Sequence, residues 1–266
     1  MSSKAVVAVR GIGDVGSAVA HTLFKGGYRV WISDDPAPAA SRRGMSFADA
    51  AFDGSAQLEG VTATVYEDPR TLVEAVEARR VIPVYMGDLF EVLRFLHTGV
   101  LVDARMRKHA HPESQIELAT FTVGLGPNFE AGMTTHVVIE TQWGDDLGKV
   151  LSSGRTKELA GEPRNYGGRA RERFIYAPVV GVFRTTCRIA DRVEPDEVVA
   201  SIDGLELKAP LAGILRGLVH DGVVVPERAK VVEVDPRGDP SKVLGIGERP
   251  RRIAEGVLEA ISSFRP

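Results

Sequence analysis

Apolar positions follow two rhythms through the first half of this chain. Short β-branched runs alternate with stretches whose apolar residues return every three or four positions. Residues 4–10 (KAVVAVR) read as a strand buried on both faces. Residues 17–25 place Val19, Ala20, Leu23 and Phe24 at helical spacing, and Gly26-Gly27 follows where a helix end favours a left-handed residue. Residues 28–33 (YRVWIS) predict the next strand. The alternation continues with helices at 46–52, 69–79 and 88–96. Strands fall at 61–66, 81–86, 100–102, 121–125 and 136–141. Strands alternating with helices predict an α/β fold: a Rossmann-like, largely parallel sheet with helices on both faces. This first domain spans 1–154.

The rhythm then breaks. Residues 155–173 carry Arg155, Lys157, Arg164, Arg169, Arg171 and Arg173 among glycines, with no apolar stripe. They read as a basic linker or lid, or simply as a solvated connection. Residues 174–240 hold many short β-branched runs and no helical pattern. They also repeat: Ala177-Pro178-Val-Val-Gly181-Val-Phe183 matches Ala209-Pro210-Leu-Ala-Gly213-Ile-Leu215 at an offset of 32, and Val193 and Val225 keep that offset. Two similar halves predict a small all-β module with pseudo-twofold symmetry. Asp203-Gly204 is the expected hairpin turn. Residues 241–266 close the chain, with an amphipathic helix at 252–264.

Candidate chemistry begins at Gly11-x-Gly13-x-x-Gly16. The motif follows a strand, opens a helix, and is followed by Asp34-Asp35 at the end of the second strand. That is the context of a dinucleotide site. Gly11 permits the tight turn, Gly13 lets a pyrophosphate approach the backbone, and Gly16 lets helix and strand pack closely. The helix N-terminus supplies free N–H groups to the anion. Asp34 or Asp35 can accept hydrogen bonds from ribose. Asp14 is discordant, because a carboxylate in the turn repels a pyrophosphate unless a cation or proton intervenes. Arg42 and Arg43 can grip a ligand phosphate, or form a solvated charge pair. Gly124 and Gly126 open a second glycine-rich loop that can present backbone donors to an anion, and Asn128 suits its left-handed position. Glu140, Asp145 and Asp146 follow the strand at 136–141 as further carboxylates, or as turn and capping residues.

Composition narrows the classes. The 266 residues carry 33 Lys+Arg and 36 Asp+Glu, a formal net charge of −3, which argues against a dedicated nucleic-acid binder. No apolar run approaches the ~20 residues needed to span a bilayer. The start leads directly into a strand, so a cytoplasmic protein is the expectation. A lone Cys187 excludes a disulfide framework and a Cys-rich zinc site. It reads as a small buried hydrophobe. His109-x-His111 lacks an evident third ligand, so no metal is expected, and His21 reads as core or rim. No nucleophilic triad is evident, and no Tyr-x-x-x-Lys pattern supports the competing reading of an NAD(P)-dependent oxidoreductase. A scaffold with a vestigial nucleotide site, and assembly of identical copies, stay open.

The motifs Arg10-Gly-Ile-Gly-Asp14, Arg42-Arg43 with Ser46-Phe-Ala48, Val102-Asp-Ala-Arg105, Gly124-Leu-Gly-Pro127, Ile139-Glu-Thr141, Asp146-Leu-Gly148, Ala177-Pro178, Ala209-Pro210 and Val234-Asp-Pro-Arg237 form a set. Over nearly the whole chain that set resembles the YqeB-like accessory family associated with selenium-dependent molybdenum hydroxylases. The first domain is similar to the Rossmann domain of the XdhC/CoxI maturation proteins. The repeat is similar to a biotinyl/lipoyl-type barrel-sandwich hybrid, but Asp203-Gly204 stands at the tip where a carrier has its lysine, so no covalent biotin or lipoate is expected. The resemblance implies an accessory role toward a molybdenum hydroxylase client. It points to a molybdopterin dinucleotide as one candidate ligand of the glycine turn, NAD(P) being the other, and to the C-terminal module as a docking platform.

Overall fold

A computed structural model describes residues 4–107, 111–158 and 163–264. Its first body is built from β1 (Val6–Arg10), α1 (Asp14–Lys25), β2 (Arg29–Asp34), α2 (Ala50–Asp53), β3 (Ser55–Leu58), β4 (Val61–Val65), α3 (Pro69–Ala78), β5 (Ile82–Met86), α4 (Leu89–Leu93), β6 (Val100–Asp103), β7 (Phe121–Leu125), β8 (Glu130–Ala131), β9 (Val137–Ile139), β10 (Val150–Leu151) and β11 (Gly154–Arg155). Nine of these strands form one sheet in the order β10-β9-β7-β6-β1-β2-β5-β4-β3. Neighbours from β9 to β4 are parallel, and the edge strands β10 and β3 are antiparallel. The strands alternate faces as their period of two requires. Val7, Val9, Val30 and Ile32 enter the core under α1, while Val6, Ala8 and Trp31 point to α3 and α4. The fold class is α/β, as the sequence pattern implies.

The second body holds β12 (Phe174–Tyr176), β13 (Gly181–Arg184), β14 (Arg192–Val193), β15 (Val198–Ile202), β16 (Leu205–Lys208), β17 (Gly213–Leu218), β18 (Val224–Val225) and β19 (Lys230–Asp235). They form two four-stranded sheets, β12-β19-β17-β14 and β16-β15-β13-β18. The offset of 32 turns β12–β15 into β16–β19 and converts one sheet order into the other. Each sheet therefore takes strands from both halves of the repeat. Asp203 and Gly204, both at positive φ, make the tight turn between β15 and β16.

The chain then returns. α5 (Glu248–Ser263) packs against α1 and joins the core of the first body, with Ile253, Ala254, Val257 and Ile261 buried there. A Cβ on Gly256 would lie 2.0 Å from the Gly148 carbonyl oxygen, so the close approach of α5 to this loop requires glycine. The terminal helix thus belongs to the first body rather than standing apart. It also begins earlier than its apolar stripe suggests. Pro250 sits in the first turn, where its missing N–H costs no helical bond.

Three expectations are corrected. The helix at 46–52 is a 3₁₀ turn at Arg43–Met45 followed by the short α2. The Ser46 hydroxyl donates to the Arg42 carbonyl and accepts from the Ala48 N–H, and so diverts the backbone from a regular helix. The helix at 88–96 is only α4, capped by Asp88. The described part of the basic stretch is not simply solvated: Arg173 is 1% exposed, and the buried Thr156 hydroxyl donates to the Gly126 carbonyl. Gly161 of that stretch and His109 lie outside the described residues.

Candidate functional site

β1 lies between β2 and β6, and the connections from β1 and from β5 leave in opposite directions along the sheet. The crevice at the carboxyl end of β1 is therefore the topological switch point, where open α/β sheets bind ligands. The glycine turn stands there. Gly11 has φ of +115° and a Cβ there would sit 2.8 Å from the Ala104 carbonyl oxygen. A Cβ on Gly16 would fall 1.9 Å from the Gly11 carbonyl oxygen. Gly13 differs: a Cβ there meets nothing within 4 Å, and it is the N-cap of α1 with no side chain capping the helix. Gly11 and Gly16 are thus demanded by packing, and Gly13 leaves open space at a helix N-terminus.

Asp34 closes the turn from β2. One carboxylate oxygen accepts the Ile12 N–H at 2.7 Å and the other accepts the Asp35 N–H at 2.8 Å. Burial pushes its pKa above the ordinary value despite those two donors. Ser17 ties the turn to the following loop: its hydroxyl donates to the Ile12 carbonyl and accepts from the Phe47 N–H. On the β6 side, the buried Asp103 accepts from Arg105 and Gln115, and Gln115 in turn accepts from Arg10 at 2.7 Å. Arg10, Asp103 and Arg105 were marked only by the resemblance. The structure places them beside the turn.

The discordant Asp14 has its cation. Arg42 Nη1 donates to its carboxylate at 2.8 Å, and Arg42 Nε donates to Glu233 at 3.0 Å. Burial opposes ionisation of Asp14, but Arg42, helped by Arg249 and Lys230, carries its pKa below the ordinary value. Glu233, on β19 and fully buried, also pairs with Arg173 at 2.5 Å, Lys230 at 3.0 Å and Arg216 at 3.3 Å. Burial would raise its pKa, yet Arg42 and Lys230 hold it well below the ordinary range. Its neighbour Asp235 pairs with Arg216 at 3.3 Å and Arg237 at 2.6 Å. The backbone seals the junction: the Leu218 N–H donates to the Ser41 carbonyl at 2.7 Å.

Of the two arginines expected to grip phosphate, Arg42 is thus committed to two carboxylates, and Arg43 pairs with Asp49. The second glycine loop is filled rather than open. A Cβ on Gly124 would lie 2.2 Å from the Phe129 ring, and Gly126, at φ of +114°, gives its carbonyl to Thr156. Asn128 does take the left-handed conformation, at φ of 69°. Glu140 is buried and accepts from the Thr141, Gln142 and Lys157 backbone N–H groups. Asp146 pairs with Lys157 at 2.6 Å on the surface. Asp35 is exposed. His21 is buried on α1. Cys187 packs on the module core, where burial pushes its thiol pKa up. Among the described residues no three His, Cys, Asp or Glu side chains are grouped to hold a metal ion. No helix of the described residues is long and apolar enough to cross a membrane.

With this geometry in view, known proteins can be compared. A scan against protein-family models finds no match. The chain is homologous to YqeB of Escherichia coli K12, which is itself described as uncharacterised. The two are 36% identical over 260 residues, 98% of this chain and 48% of that protein. The chain therefore spans about half the length of that relative. Among solved structures, an aspartoacylase family protein from Mesorhizobium loti aligns at 14% identity and a TM-score of 0.26, over 88% of this chain and 85% of that one. The product-bound ectoine utilization protein EutE (DoeB) from Ruegeria pomeroyi aligns at 15% identity and 0.26, over 87% and 85%. Likenesses this slight carry no argument about function.

Proposed function

We propose that this chain is an accessory protein for a molybdenum hydroxylase and holds a nucleotide-containing ligand at the glycine turn. The observation that carries the reading is the open Gly13 at the uncapped N-terminus of α1, in the switch-point crevice, with Asp14 already neutralised by Arg42. A pyrophosphate fits such a place: free N–H groups and the helix dipole attract it, and the nearest carboxylate no longer opposes it. Asp34 uses one acceptor position on each oxygen for the backbone. A carboxylate has about four such positions in all, so ribose hydroxyls still have acceptors. Arg10 and Arg105 stand on the β6 side of the turn, already bonded to Gln115 and to Asp103 and Glu113.

A molybdopterin dinucleotide is the ligand this reading favours, and the client link rests on the resemblance of the motifs. The C-terminal module would meet the client through the face turned away from the first body. Val180, Val198, Leu205 and Val224 are exposed on that module. Undiminished client capture after their replacement by alanine would remove this step.

The identity of the ligand is tested by purifying the protein from a host that expresses a molybdenum hydroxylase, denaturing it, and analysing released small molecules by mass spectrometry. A pterin dinucleotide is the expected product. A nicotinamide nucleotide would overturn the reading and favour an oxidoreductase.

A further inference from the structure

A second feature lies apart from the glycine turn. A cavity of about 300 Å³ opens where the two bodies meet the start of α5. One side of it is cationic, formed by Arg164, Arg216, Arg237 and Lys242 around Tyr166. Met45, Leu244 and Ile246 make the other side apolar. Gly247, also at the cavity, is the N-cap of the sixteen-residue α5 and has no side-chain cap.

The positive charge here exceeds its partners. Among the described residues, Arg42, Arg173, Arg216 and Arg237 share Asp14, Glu233 and Asp235 as ion-pair carboxylates. Glu248, the one carboxylate among the lining side chains, pairs with Arg164. Among the described residues Lys242 makes no ion pair. Arg216, with 7% of its side chain exposed, has a buried Nε that makes no hydrogen bond and lies 3.3 Å from the Glu233 carboxylate. Burial, then repulsion from Arg42, lowers the Arg216 pKa, although Glu233 and Asp235 oppose this.

We propose that this cavity is a second anion site, which takes a phosphorylated organic molecule. Its donors differ in kind and direction: the guanidinium N–H groups that Asp235 and Glu248 leave free, the Lys242 ammonium, and the N–H groups of Gly247, Glu248 and Arg249 at the start of α5. Such a set suits a group with several charged oxygens better than a planar carboxylate held by one fork. The Met45, Leu244 and Ile246 wall, with the edge of Tyr166, accommodates the organic part. The volume lies at the lower end of small-molecule pockets, roughly 300–1,000 Å³. The site uses none of the glycine-turn residues and goes beyond the proposed function.

The test is isothermal titration of the full chain with phenyl phosphate and with inorganic phosphate. Phenyl phosphate is expected to bind once per chain, at least tenfold tighter than inorganic phosphate. Arg237→Gln and the exposed-site variant Lys242→Gln should each weaken it at least fivefold. Gly13→Asp, which blocks the glycine turn, should leave it within twofold. Absence of saturable binding to the wild type would overturn the proposal, and so would unchanged affinity in Lys242→Gln with its fold intact by circular dichroism. Loss in Gly13→Asp alone would place the anion at the glycine turn and also overturn it. A failure to find a nucleotide by mass spectrometry would leave this site standing.

Discussion

The two sheets of the C-terminal module share one strand plan and treat charge in opposite ways. At β12-β19-β17-β14, Arg173 just before β12 is 1% exposed, and Glu233 and Asp235 on β19 are fully buried. At the positions related by the offset of 32, the other sheet carries Leu205, Ser201 and Asp203, and Leu205 is 50% exposed. Arg216 has 7% of its side chain exposed and its counterpart Arg184 has 61%. The usual rule of apolar inside and charged outside is inverted at one matched pair, the buried Arg173 and the exposed Leu205. The cause is the neighbour. One sheet is covered by the loop of Ser41 and Arg42, and buried charges persist there only because they are paired. The other keeps Phe183, Ile202, Leu207 and Val225 in the module core but leaves Val198, Leu205 and Val224 uncovered. One repeat has thus been specialised twice, for docking to the glycine turn and for a free face.

The strongest way to break this comparison is to remove the hub. Glu233→Gln leaves several buried or half-buried cations without their shared carboxylate, and a loss of about 3–5 kcal/mol is expected in urea unfolding. A loss under about 1 kcal/mol would mean the junction does not depend on the pairing.

A matched glycine pair comes next. A Cβ on Gly213 would sit 2.4 Å from the Asp235 carbonyl oxygen, a backbone atom that cannot step aside. On its counterpart Gly181 the nearest atom is the Asp203 carboxylate, at 2.3 Å, which can rotate away. Gly213→Ala should cost about 2–3 kcal/mol and Gly181→Ala about 1 kcal/mol, as overpacking does. Equal melting temperatures for the two variants would contradict the asymmetry.

Acid titration sharpens the same point. Asp14, Glu233 and Asp235 all have folded pKa values below their ordinary ones. Their stabilising effect is fully present above the unfolded values and is lost as pH falls through the depressed folded values. Stability should therefore decline as pH drops below about 4.5, the ordinary glutamate value. The Glu233→Gln variant should show a shallower decline than wild type. Parallel pH profiles would remove Glu233 as a source. The smallest effect is expected at the matched outward position, where Ser201→Ala should stay within about 0.5 kcal/mol.

Much of this plan was legible in the chain. β-branched runs and helical stripes marked the parallel sheet, because a strand buried on both faces has a distinctive composition. The offset of 32 marked the two-sheet module, since related halves need matching strands. The edge strands β3 and β10 were not legible: one is a four-residue segment of mixed polarity and the other only two residues long. At the site, Gly11, Gly13 and Gly16 were legible because glycine spacing is local. The need for a cation or a proton at Asp14 followed from charge alone. Its identity did not, since Arg42 lies 28 residues away and its second partner, Glu233, lies 191 residues from Arg42. The filling of Gly124 by Phe129 was likewise a matter of packing that no motif records.

The central claim is that Gly13 holds the ligand pyrophosphate. Gly13 is extended, at φ of −63° and ψ of −178°, with open space at its Cβ, and aspartate is a favourable N-cap. Gly13→Asp should therefore fold normally while placing a negative charge at the proposed phosphate position. The decisive measurement is titration of wild type and Gly13→Asp with ADP-ribose and with CDP, alongside circular dichroism of both proteins. Saturable binding of at least one probe by the wild type, weakened at least tenfold in a well-folded Gly13→Asp, is the predicted result. Equal binding by the two proteins, or none by the wild type, would contradict the account.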